Sequence, residues 1–141
     1  MSFWDSSALV PLCTSEPRSI SAGRLWKTFS PRVVWWETSV EICSALARIE
    51  RENIISLQQR LNAEKRLEIL ENIWIEIQPN SRIKELARTF PAQHKMKAAD
   101  SLQLAAALVW CKELPKGKDF VSGDVKLLEV AENVGFTIHS L

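Results

Sequence analysis

The stretch FVSGDVKLLEVAENVGFTIHS, residues 120 to 140, holds a complete strand–helix–strand unit, and its reading decides the fold. Phe120 and Val121 form a short buried strand. Ser122 and Gly123 turn the chain, Asp124 opens the helix VKLLEVAENV, Gly135 ends it, and FTIHS supplies the closing strand.

The same alternation extends outward through the chain. A first strand covers about Ser2 to Asp5, followed by a helix through Ala8, Leu9 and Val10 that Ser6 or Ser7 can cap. Pro17 opens a second helix reaching about Phe29, and Pro31 stops it before a buried strand at Val33 to Trp36. From Glu37 to about Arg51 the pattern is helical, with Val40, Cys43 and Ala47 on one side. A long amphipathic helix covers about Ser56 to Ile73, then a strand from Ile75 to Gln78 closed by Pro79, and a helix from about Ser81 to Phe90. Asp100 opens the most apolar helix, SLQLAAALVW. Strands alternating with helices predict an α/β fold: a parallel sheet covered on both faces, with right-handed crossovers producing a three-layer α/β/α sandwich.

A chain of 141 residues suits one domain with a core large enough to dispense with disulfides. With 46% hydrophobic and 25% charged residues it falls in the ordinary globular class, which excludes disorder and fibrous repeats. Eighteen basic and 17 acidic residues leave a net charge of +1, unlike a DNA-coating protein yet compatible with a local basic rim around an acidic centre. No apolar run reaches the ~18 residues of a membrane span. MSFWDSSALVPL carries a carboxylate where a secretory signal has positive charge, so the expected location is cytoplasmic. Cys13, Cys43 and Cys111 are odd in number and set among apolar neighbours, which predicts reduced, mostly buried thiols. With only His94 and His139 beside them no zinc spacing arises, so any metal is held by oxygen.

Four acids stand out. Asp5 and Asp124 follow strands and so lie on the rim where parallel sheets bind ligands. Asp100 stands at the start of a buried helix, and Glu41 lies one turn into its own, between Val40 and Ile42. Singly, the aspartates are explained as helix caps or first-turn acids, and Glu41 as part of a salt-bridge ladder with Glu37 and Arg48. Jointly, carboxylates converging on one rim repel one another unless a cation sits among them. Hard oxygen ligands favour Mg²⁺ or Mn²⁺, and such a site orients water for in-line attack on a phosphodiester. Glu37 is the alternative to Glu41. Asp119 mimics Asp124, but it begins its strand and so falls at the far end of the sheet.

FWDSSALVPL, WETSVEICSALAR, KAADSLQLAAALVW and FVSGDVKLLEVAENVGFTI resemble, in order, the four signature blocks of PIN domains, most closely those of VapC toxins, over essentially the whole chain. The resemblance implies a five-stranded parallel sheet, a metal-dependent ribonuclease, a homodimer and inhibition by a cognate VapB-like antitoxin. It assigns the metal site to Asp5, Glu41, Asp100 and Asp124, with Ser6 and Ser122 as its small hydroxyl positions. Two departures, the bulky Trp4 before Asp5 and the long polar segment CKELPKGKDF, touch no acidic position.

Arg48, Lys95 and Lys97 are candidate RNA contacts, since phosphate contacts dominate nucleic-acid affinity. Six tryptophans and no tyrosine point first to core and subunit interfaces, with base stacking as the functional alternative. His94 and His139 carry no motif. The competing functional readings are a PIN nuclease of RNA processing outside a toxin pair and a non-catalytic PIN-like interaction module. A phosphatase of the aspartyl-phosphate type needs a second acid two positions after the first, where this chain has Ser7.

Overall fold

The computed structural model describes residues 1–141. Five strands, β1 (Ser2–Trp4), β2 (Arg32–Trp35), β3 (Ile75–Ile77), β4 (Asp119–Ser122) and β5 (Thr137–Ser140), form one sheet in the order β3-β2-β1-β4-β5. Every pairing is parallel, so all five strands end on the same rim. β1 sits in the middle, with Phe3 aligned to Val33 on one side and to Phe120 on the other.

The alternation of side chains along each strand builds two cores. Phe3, Val33, Trp35 and Phe120 face a layer made by α5 (Ser81–Ala87), α6 (Phe90–His94), α7 (Ala98–Trp110) and α8 (Val125–Val134). Trp4, Val34 and Val121 face α1 (Ser6–Cys13), α3 (Thr38–Arg51) and α4 (Leu57–Glu71), with Leu25 and Trp26 of α2 (Ser19–Thr28) packed alongside. The chain is therefore the expected three-layer sandwich. Of the tryptophans, Trp4 and Trp35 are buried, and Trp4 meets Trp26 edge-on at 5.2 Å. No helix is long and apolar enough to cross a membrane.

Several local readings are corrected. α3 buries Thr38, Ile42 and Leu46, while Val40 is 64% exposed and Cys43 faces solvent. Apolar residues are scattered around this helix, and the tertiary contacts of α3 with α1 and α4 chose between two plausible faces. Cys13 and Cys111 are buried as expected; Cys43 is not. The helix read through Phe90 breaks after Ala87, and a further short helix starts at Phe90, whose first turn accommodates Pro91. α7 begins at Ala98 rather than at Asp100, which lies in its first turn. The helix after β4 starts as read: Asp124 accepts from the amides of Lys126 and Leu127, and Gly135 closes the helix at φ +116°.

An acidic rim between two basic clefts

Asp5 is the residue after β1, and its position is set by the sheet: its amide donates to Val121 O at 3.2 Å. It is also the cap of α1, which decides between Asp5 and the serines Ser6 and Ser7 for that role, and it accepts from Ser7 N at 3.1 Å. Ser7 Oγ donates to the other carboxylate oxygen at 2.9 Å and accepts from Gly123 N at 2.8 Å. Ser122 Oγ lies 3.2 Å from Ser7 Oγ and accepts from Asp124 N at 2.9 Å. One hydroxyl network thus joins the ends of β1 and β4 and holds both aspartates. A Cβ at Gly123 would displace the Arg18 guanidinium, whose Nη2 donates to Gly123 O at 2.7 Å, so the glycine leaves room for that contact.

Glu41 sits in the first turn of α3 and is held from two sides. Ser6 Oγ donates to one oxygen at 3.0 Å and Gln103 Nε2 to the other at 2.8 Å. Gln103, fully buried in α7, also reaches Thr38 Oγ1 at 3.1 Å, and its own Oε1 has no partner. The salt-bridge ladder envisaged for this helix face does not form: none of the ion pairs involves Glu37, Glu41, Asp5, Asp100 or Asp124.

The electrostatics follow from that isolation. Burial pushes the Asp5 carboxyl up to about 6 against the pull of the Ser122 and Ser7 hydrogen bonds, with the charge of Asp100 adding to the rise. Burial likewise raises Glu41 to about 7, opposed by Gln103 and Ser6 and reinforced by Glu37 and Asp5. Asp100 is raised by burial and then by Asp124, while Lys97 and Lys126 draw it down. Asp5, Glu41 and Asp100 therefore each feel at least one other acid.

They do not, however, close on a point. No three acid, imidazole or thiol groups stand near enough to hold one ion, contrary to the expectation that the four would share a single site diameter. Like charges repel, and hydroxyl and amide donors hold Asp5, Glu41 and Asp124 each where it stands.

Two clefts flank the rim. Asp100 and Asp124 line one together with Lys95, Lys97 and Lys126. Ser6 and Ser7 line the other together with Arg18 and Arg48. The structure thus places Lys95 and Lys97 on one side of the acids and Arg48 on the opposite side. The decoy Asp119 lies at the far end of β4, 2.8 Å from His139 Nε2.

Gln103, Arg18 and Lys126 were not singled out from the sequence, and Ser7 was read only as a possible helix cap. For Ser7 a local signal existed, since an acid two residues before a hydroxyl at a helix start is a capping pattern. Replacing it tests the network: Ser7→Ala leaves a buried carboxylate oxygen and the Gly123 amide short of a partner. It is expected to cost about 1–3 kcal/mol in urea unfolding, and an unchanged midpoint would refute the network's structural role.

No family model and no curated protein matches the sequence. Solved structures do match the fold. A chain of a toxin–antitoxin complex from Klebsiella pneumoniae superposes with a TM-score of 0.68 at 15% identity, covering 100% of both chains. VapC20 of Mycobacterium tuberculosis, described as a toxin that cleaves the sarcin–ricin loop, gives 0.68 at 16% identity over 97% of both. FitAcB of Neisseria gonorrhoeae gives 0.67 at 13% identity, over 99% of this chain and 97% of that one. At these identities the likeness is one of fold, and it is the PIN-like sandwich that the sequence led us to expect.

Proposed function

We propose that this chain is a divalent-metal-dependent endoribonuclease and the toxin of a VapBC-type pair. The observation that carries the reading is the rim itself: four carboxylates from four different elements, charge-coupled along the series Glu41, Asp5, Asp100 and Asp124, none of which is in a salt bridge. Their donors are all hard oxygen, the kind that suits Mg²⁺ or Mn²⁺; Asp5, Glu41, Asp100 and Asp124 are the groups that would hold the ion, and to share one they would have to move closer together than they stand. When bound, such an ion neutralises the charge that develops on a phosphodiester and favours ionisation of the attacking water.

The chain's own residues supply the rest. Ser7 and Ser122 hold Asp5 in place, and Ser6 and Gln103 fix both oxygens of Glu41, so both acids are kept at the rim. Lys95, Lys97 and Lys126 on one side and Arg18 and Arg48 on the other suit the phosphates flanking the scissile bond. The toxin assignment is supported by the structural neighbours, one of them from a toxin–antitoxin complex and another a toxin that cleaves the sarcin–ricin loop. Exposed Val40, Ile69, Ile73 and Ile75 are apolar surface that a second copy or an antitoxin would cover.

The test is cleavage of structured RNA with Mg²⁺ or Mn²⁺ against excess EDTA. We expect cleavage with the metal and none with the chelator. Undiminished cleavage in EDTA overturns the mechanism, and absence of cleavage under every condition leaves the non-catalytic module as the reading.

A further inference from the structure

Beside the acidic rim lies an aromatic cleft that the proposed chemistry does not use, and we propose that it is a nucleobase subsite in which a base of the RNA strand stacks on Trp36. The proposal rests on the ribonuclease reading for its ligand class.

Trp36 follows β2 directly, so it stands on the same rim as Asp5 and Asp124. It is 51% exposed, an unusual position for the largest side chain. Its backbone is fixed by a hydrogen bond from its amide to Ile77 O at 3.1 Å. Beneath it lies the buried Trp35, edge-on at 69° with ring centroids 6.4 Å apart, so the exposed indole rests on a rigid support. Trp35 is itself turned by its Nε1, which donates to Glu37 Oε2 at 3.4 Å.

The remaining walls carry what a base with its phosphate needs. Asn80 uses its Oδ1 to cap α5, accepting from Ile83 N at 2.9 Å. That bond fixes the amide plane and leaves Nδ2 free to donate to a base edge. Lys84 lines the same cleft and makes no ion pair, which suits a phosphate. A flat apolar face, an oriented amide donor and an ammonium together match a nucleotide better than a peptide side chain.

Continuity with the acids places the subsite on the path of the strand. Glu37 lines the cleft and adds its charge to Glu41, and Leu102 lines it next to Gln103, which holds Glu41. A strand whose phosphate lies at the rim therefore has a neighbouring base within the reach of Trp36. This gives the tryptophan a role in substrate choice, apart from the cleavage step.

The experiment is binding of a short single-stranded oligoribonucleotide in EDTA, followed by fluorescence anisotropy, for the wild type, Trp36→Ala, Trp36→Phe and Asn80→Ala. An abasic ribose-phosphate oligomer of equal length is the second probe. Trp36→Ala is expected to weaken RNA binding by roughly five- to a hundredfold, the range that loss of one stacked base produces. Trp36→Phe retains most of the affinity, Asn80→Ala loses part of it, and the abasic oligomer does not distinguish wild type from Trp36→Ala. Unchanged RNA binding by Trp36→Ala overturns the proposal, as does an equal loss with the abasic probe. So does a Trp36→Ala protein whose only change is a lower assembly mass, which would assign the face to a second copy. Because the readout is binding without metal, Trp36-dependent binding with no cleavage sinks the nuclease reading alone. Cleavage with Trp36-independent binding sinks the subsite alone.

Discussion

Asp5→Asn is expected to lower metal-dependent RNA cleavage by more than roughly a hundredfold, the scale on which loss of one preorganised charge-stabilising group is felt, while making the metal-free protein more stable at pH 8. The combination arises because Asp5 is only 3% exposed and its carboxyl is pushed up to about 6, so the fold carries the buried charge at a cost. The difference between 3.8 and about 6, at about 1.4 kcal/mol per pH unit, gives a destabilisation on the order of 3 kcal/mol that asparagine relieves. Asparagine keeps an oxygen for the Ser7 amide and is a good helix cap, so the local fold survives. A residue serving only as a cap would give the opposite pattern: little change in cleavage and none in its metal dependence. Asp119→Asn is the control, since that acid is tied to His139 at the far end of the sheet and should leave cleavage intact. Wild-type cleavage by Asp5→Asn would end the assignment of the rim.

The second large effect is a dependence of metal-free stability on pH that runs against the usual trend for carboxylates. Asp5 and Glu41 both have folded values above their ordinary ones, so between about 4 and about 7 the folded chain binds more protons than the unfolded chain. Their contribution is complete below the unfolded values and is lost as pH rises through about 6 for Asp5 and about 7 for Glu41. In EDTA the melting temperature should therefore fall between pH 5 and 8, by roughly 5–10 °C for a domain of this size. Mg²⁺ or Mn²⁺ should reverse the trend, adding about 2.7 kcal/mol at a hundred times its dissociation constant. A melting temperature that rises from pH 5 to 8 in EDTA, or that ignores the metal at pH 8, would show that these carboxylates are stabilised by something other than a cation.

How far the sequence carried is best seen at individual residues. Asp124 was legible because all that defines it is local: an apolar strand, a Ser-Gly turn, and a helix whose first amides it caps. Asp5 was legible for the same reason, and the parallel sheet followed once strands and helices alternated. Gln103 was not, because it stands in the apolar run LQLAAA and its partners, Glu41 and Thr38, are 62 and 65 residues away. Such a contact is a property of two helices packed across a sheet edge, with no local trace. The buried face of α3 was misread for a related reason, since Val40, Ile42, Cys43 and Leu46 surround the helix and only packing selects among them. The separation of the acids was not legible either, because the positions of Asp5 and Glu41 depend on serine and glutamine donors that distant segments bring to them.

The strand order has a consequence in time. β1 sits at the centre of the sheet, yet one of its two neighbours, β4, is made late, and the Ser7–Ser122 contact spans 115 residues. A ribosome adding about 5–20 residues per second needs roughly 6 to 23 seconds to pass from one to the other. During that interval the nascent chain has Asp5 and Glu41 but neither Asp124 nor the hydroxyl network that ties Asp5 to β4. The acidic rim therefore cannot be assembled until β4 and the start of α8 have been made, however early Asp5 emerges.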